Sequence, residues 1–218
     1  MTQNKYVIFD MDGVLFDTEA LTIRIWEQIA EEYSIPHVTE VCHLCVGINA
    51  VETERIFEEH YGDRLPIHDI RKEVAHRFRH ILQTEGPPPK PYADQILPFL
   101  KGKGYLLAVA SSTVSHIVHQ NLTTVGFIQY FDQIIDGDMV QRSKPYPDIF
   151  LKACEALRCT PADAYVIEDS FHGIRAAHAA GTTPLMVPDL FQPNEEIRKL
   201  CHAVFSDLGE VQTFFKNM

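Results

Sequence analysis

Two aspartates, Asp10 and Asp12, stand two positions apart directly after the apolar run KYVIF (5–9). A second apolar run, AYVIE (164–168), ends in Glu168 and is followed by Asp169. Ser111 and Ser112 follow a third run, YLLAVA (105–110), and Lys144 stands before Pro145 at the approach to a helical pattern. Together these types describe one chemistry. Carboxylates offer hard oxygens to Mg²⁺, which takes a few of them and keeps water and phosphate in its other positions. A carboxylate free to attack phosphorus forms an aspartyl-phosphate. A hydroxyl and an ammonium can hold the phosphoryl oxygens, one by hydrogen bond and one by charge. The set is a phosphoryl-transfer constellation, in which positioning and charge neutralisation carry most of the catalysis.

Simpler readings exist for each part. Asp-Gly after a strand is a turn signal, so Asp10 to Gly13 could be no more than a turn. An EF-hand loop also opens D-x-D, but its glycine belongs at the sixth position and here it is at the fourth. Ser170 is placed to cap a helix, and Ser111 and Ser112 could do the same. A single lysine is usually solvated. What favours chemistry is that all of these groups fall at strand ends, in order.

The elements that must position them are legible from periodicity. The runs 5–9, 105–110, 164–168 and 184–187 are short and apolar, as buried strands are, with a further short strand expected at 133–136. Helical patterns lie between them. One spans about 93–101, and one spans about 114–125 and ends at Gly126. Another opens with Pro147 and Asp148, and the last spans 171–180 and closes at Gly181. Alternating strands and helices imply βαβ units and a parallel sheet. Parallel sheets take ligands at the carboxyl ends of their strands, and right-handed crossovers bring those ends to one edge. Residues 18–85 read differently. Leu21, Ile25 and Ile29 recur every four positions with Trp26 beside them; Ile56 and Phe57, then Val74, Phe78 and Leu82, continue in helical spacing. Gly86-Pro87-Pro88-Pro89 breaks that block. The expected architecture is an α/β, Rossmann-like parallel-sheet core, 1–17 and 86–218, with an inserted all-helical domain, 18–85.

Composition narrows the function classes. The chain has 218 residues, with 19 Lys and Arg against 30 Asp and Glu, a net charge of −11. That balance argues against nucleic acid as a partner, although a metal ion can still reverse the sign locally for a small anion. No apolar run approaches a membrane span and no secretory signal is visible, so a cytoplasmic location with reduced thiols is expected. Cys42 and Cys45 have C-x-x-C spacing, and His76 and His80 lie four apart. Neither pair completes a tetrahedral zinc set.

The residues Asp10-Met11-Asp12-Gly13-Val14, Ser111-Ser112, Lys144-Pro145 and Glu168-Asp169-Ser170, with Gly173 and Gly181, resemble the haloacid dehalogenase superfamily. The likeness is to the branch that holds β-phosphoglucomutases and small sugar-phosphate phosphatases, and it covers nearly the whole chain. The resemblance implies Asp10 as nucleophile and Mg²⁺ ligand. It implies Asp12 as general acid and base, ligating through its main-chain carbonyl. Ser111, with Ser112 beside it, and Lys144 would bind the phosphoryl group. Asp169 would ligate Mg²⁺, with Glu168 in or next to the ligand shell. The helical insert would be a cap, and the partner a small phosphorylated metabolite.

Two positions depart from the mutase pattern. Thr22 stands where that branch has His, a few residues before Trp26. Ala50, three residues after Gly47, stands where it has Arg. An Arg fork is the natural clamp for a second phosphate. Three readings therefore stand. The first is a Mg²⁺-dependent phosphatase, the second a β-phosphoglucomutase, and the third a non-catalytic phospho-ligand binding protein.

Overall fold

A computed structural model describes residues 5–45, 50–62 and 65–218. The chain forms two compact units, Met1–Asp17 with Pro88–Met218, and Thr18–Pro87.

The first unit is an α/β, Rossmann-like fold. Its parallel sheet has six strands: β1 (Tyr6–Phe9), β2 (Leu106–Ala110), β3 (Gln133–Ile135), β4 (Ala164–Glu168), β5 (Thr183–Met186) and β6 (Ala203–Val204). Their spatial order is β3-β2-β1-β4-β5-β6. The strands are short and apolar because helices cover both faces. Alternation within each strand decides which face a residue serves. Val7, Phe9, Leu107, Val109, Tyr165 and Ile167 pack with residues of α5 (Ala93–Gly102), α6 (Ser115–Thr124) and α10 (Leu208–Lys216). Ile8, Ala108, Ala110 and Val166 pack with residues of α7 (Asp148–Leu157) and α8 (Phe171–Ala179). The strand order reverses about β1, so β1 and β4 are sequence-distant neighbours with Phe9 paired to Ile167. That is the switch point, where the crossovers on either side leave a crevice.

The second unit contains α1 (Thr18–Tyr33), α2 (Val38–Leu44), α3 (Ala50–Tyr61) and α4 (Ile67–Thr84). Its own core joins Leu21, Ile25 and Ile29 of α1 to Val41, Phe57, Ile70 and Val74. Trp26 stacks on Phe57 with ring centroids 4.5 Å apart. Cys42 is part of this core, and burial pushes its thiol up to about 12. His76 and His80 are exposed on α4. The loop positions 47–49 that lead to Ala50 lie outside the described residues, as does the Ala50 side chain.

The periodicity of the sequence marks the main strands and helices to within a few residues. It does not mark α2, β6, α9 (Glu195–Leu200) or α10. A strand of two half-buried residues, Ala203 and Val204, leaves no alternation to detect.

Candidate active site

Asp10 is the first residue beyond β1, and its N–H extends the β1–β4 ladder by donating to Ile167 O at 2.9 Å. The carboxylate is thereby delivered buried into the switch-point crevice. Lys144 Nζ donates to Asp10 Oδ1, and to Glu168 Oε1 at 2.6 Å. Lys144 is no surface lysine: its side chain is 10% exposed and its ammonium stands 5.1 Å from the centre of the Phe150 ring. Asp10, Glu168 and Asp169 offer carboxylate oxygens that all lie within 4.8 Å of one another, the one such grouping among the described residues.

Two glycines make this grouping possible. Gly13 turns with φ +85°, and a Cβ there would come within 2.4 Å of Asp169 Oδ2. Gly173, in the first turn of α8, would carry a Cβ 1.7 Å from Glu168 Oε1. Glu168 is fully buried, and its Oε2 accepts from Ser170 N at 2.7 Å and Ser170 Oγ at 3.0 Å. Ser170 caps α8, its Oγ accepting from Gly173 N at 3.0 Å, and so serves helix and site together.

The electrostatics follow from three clustered carboxylates, of which Asp10 and Glu168 share one ammonium. Burial pushes Asp10 up to about 7; Lys144 opposes the rise, and Glu168 and Asp12 add to it. Burial also holds Asp169 well above the usual carboxylate range, helped by Glu168 and Asp10. Burial alone would lower Lys144, but the two carboxylates outweigh it and hold the ammonium above the ordinary lysine value. The surplus negative charge and the oxygen-only donor set fit a hard divalent cation.

Asp12 stands apart from this group. Its Oδ2 accepts from Thr113 Oγ1 at 2.9 Å, and Thr113 N donates to Ser111 Oγ at 3.1 Å. Ser111 is buried, with its own N–H bonded to Ile135 O at 3.0 Å, so β1, β2 and β3 all anchor this loop. Neither Ser111 nor Ser112 caps α6. The Ser115 N–H in its first turn is taken by Asp138 Oδ2 at 2.9 Å. Ser112 is exposed, while its carbonyl lies 2.3 Å from where a Cβ on Gly137 would be.

The structure thus bonds Lys144 to Asp10 and Glu168, brings Asp169 beside those two carboxylates, links Asp12 to Ser111 through Thr113, and leaves Ser112 exposed. Thr113 is the residue that sequence reasoning missed. Its hydroxyl bonds across 101 positions, and only its adjacency to Ser111-Ser112 could have marked it. In the helical unit, a cavity of about 360 Å³ is lined by Thr22, Trp26, Arg71, Phe78 and Arg79, among others.

The haloacid dehalogenase-like hydrolase family model matches residues 7–187. A phosphorylated carbohydrates phosphatase of Thermotoga maritima is 34% identical over 175 residues, covering 80% of this chain and 81% of its own. A beta-phosphoglucomutase of Bacillus subtilis is 32% identical over 183 residues, covering 81% of this chain and 80% of its own. Among solved structures, a HAD family hydrolase of Deinococcus radiodurans, with bound phosphate and sodium, superposes with a TM-score of 0.83. It is 25% identical and covers 100% of this chain and 97% of its own.

Proposed function

The chain belongs to the haloacid dehalogenase-like hydrolase family, and on that premise we propose a Mg²⁺-dependent phosphatase of small phosphomonoesters, sugar or related metabolite phosphates, acting through an aspartyl-phosphate on Asp10. The observation that carries this reading is the placement of Asp10. It is a buried carboxylate at the switch point, beside one ammonium and two further carboxylates.

Asp10 attacks phosphorus and the ester P–O bond breaks. Asp12 gives its proton to the departing alkoxide. The same carboxylate then takes a proton from the water that hydrolyses the acyl phosphate, releasing inorganic phosphate and restoring Asp10. Thr113 orients Asp12 for both transfers. Ser111 and Lys144 hold phosphoryl oxygens. Asp10, Glu168 and Asp169 would hold Mg²⁺, which when bound neutralises charge on the phosphoryl group. The helical unit is the part of the chain assigned to selectivity for the leaving group.

The mutase reading rests on the similarity to the Bacillus enzyme. Thr22 and Ala50 weigh against it, because a distal phosphate then lacks the expected clamp. The non-catalytic reading leaves the second aspartate, Asp12, without a task. A panel of phosphomonoesters assayed with Mg²⁺ for released phosphate tests the proposal. Asp10→Asn should be inactive while folded, and deamidation should be checked by mass. Incubation with β-glucose 1-phosphate and catalytic glucose 1,6-bisphosphate separates the enzymes. Inorganic phosphate supports the phosphatase; rapid glucose 6-phosphate without phosphate release establishes the mutase.

A further inference from the structure

Beyond β5, Val187 N donates to Glu168 O at 2.8 Å, continuing the ladder that pairs Glu168 with Met186. This bond sets the segment 187–189 beside the chain that carries Glu168 and Asp169. Asp189, two residues on, has a side chain only 10% exposed. Its Oδ1 accepts from Lys90 Nζ, and its Oδ2 is buried with no hydrogen-bond partner among the described residues. A buried carboxylate oxygen without a donor is costly, so a native site that keeps one invites a partner from outside the chain.

The local charges do not remove that need. Lys90 is shared, since it also donates to Asp17 Oδ1 at 3.1 Å. One ammonium therefore serves two carboxylates. The field of Asp189 reaches the acidic group, where it adds to the forces that raise Asp169. Mg²⁺ usually keeps several of its waters, and those waters are donors looking for acceptors.

We propose that Asp189 is an outer carboxylate of the cation site, its Oδ2 accepting from the water shell of a divalent ion held by Asp10, Glu168 and Asp169. Lys90 is the opposing charge that sets how strongly that ion feels Asp189. The inference rests on the metal assignment made above and adds to it a carboxylate from the β5 edge. It also gives the two residues opposite signs. Removing negative charge at 189 weakens cation binding, and removing positive charge at 90 strengthens it. A purely structural pair would show no such opposition.

The test is calorimetric titration of Mg²⁺ into metal-free protein, without substrate. Asp189→Asn, which keeps side-chain volume, should raise Kd by roughly tenfold, the usual scale for an outer-shell partner. Lys90→Met should lower Kd, by roughly threefold, as a nearby like charge is removed. Lys90→Arg should bind as wild type does. Circular dichroism confirms folding, and if Asp189→Asn fails to fold, the sign of the Lys90→Met change decides. An unchanged Kd in folded Asp189→Asn, or weakened binding in Lys90→Met, overturns the proposal while leaving the metal site intact. A wild-type protein that binds no Mg²⁺ overturns both.

Discussion

Lys144 and Asp10, 134 positions apart in the chain, are joined ammonium to carboxylate, and the same ammonium reaches Glu168 at 2.6 Å. The lysine therefore bridges the ends of β1 and β4 across the switch point. In the metal-free protein it is the charge that lets buried carboxylates from these two strands coexist. In the proposed reaction the same ammonium faces the phosphoryl group.

That double role makes Lys144→Ala informative. Truncating one partner of a buried ion pair costs about 3–5 kcal/mol, so urea unfolding of the metal-free variant should shift to much lower denaturant. Mg²⁺ should recover part of the loss by restoring positive charge. Turnover should fall by ~10²–10³, on the scale of losing one electrostatic donor. Unaltered kinetics would return Lys144 to a purely structural role.

Asp12→Ala should slow hydrolysis of a sugar phosphate by ~10²–10⁴, the usual worth of a positioned acid and base. The loss in the phosphorylation step should be smaller for p-nitrophenyl phosphate, whose leaving group needs no proton. Equal losses, measured by rapid quench, would remove Asp12 from the acid role. Thr113→Val should reproduce part of the defect, because it removes the hydroxyl bonded to Asp12.

The acidic group also predicts an unusual pH dependence. The folded-state pKa of Asp10 lies above its ordinary value, at about 7, and that of Asp169 is raised as well. Their stabilising contribution is full below the unfolded-state carboxylate value and is lost as pH rises through the folded one. Metal-free protein should therefore lose stability from this source between about pH 4 and about pH 7. Mg²⁺ should reverse the trend, so the rise in Tm on adding it should be larger at pH 8 than at pH 5. A metal-induced shift of equal size at both values would contradict the electrostatic account.

Gly173→Ala should disrupt the site from beneath. The added methyl overlaps Glu168 Oε1, which must move away from Lys144. A cost of roughly 1–3 kcal/mol in thermal or chemical unfolding is expected for such overpacking, with weaker Mg²⁺ binding. Gly102→Ala is the matched control, since nothing lies within 4 Å of its would-be Cβ.

The sheet, and the gathering of most candidate site residues at its edge, are legible in the sequence because local patterns report them. Apolar runs end in polar residues at 10, 111 and 168, and parallel topology sends those ends to one edge. The Ser170 cap was legible for the same local reason. Pairings between distant positions were not. Lys90 and Asp189 are 99 positions apart, and Asp12 and Thr113 are 101 apart, so no periodicity connects them. Ser111 illustrates a local pattern with two outcomes. A serine before a helix reads as a cap, but here its hydroxyl turns back to Thr113 N and Asp138 serves the first turn of α6 instead.

Asp17 N donates to Pro88 O at 2.8 Å, so the chain leaves the α/β unit and re-enters it at points one hydrogen bond apart. The core's connectivity is thus indifferent to what lies between those positions. Seventeen residues before the crossing and the stretch after it already contain every carboxylate, hydroxyl and ammonium of the proposed chemistry. For protein engineering this is a cassette boundary: under the proposed function, exchanging the helical insert between Asp17 and Pro88 for that of a relative should change substrate preference while leaving every proposed reacting group in the retained chain.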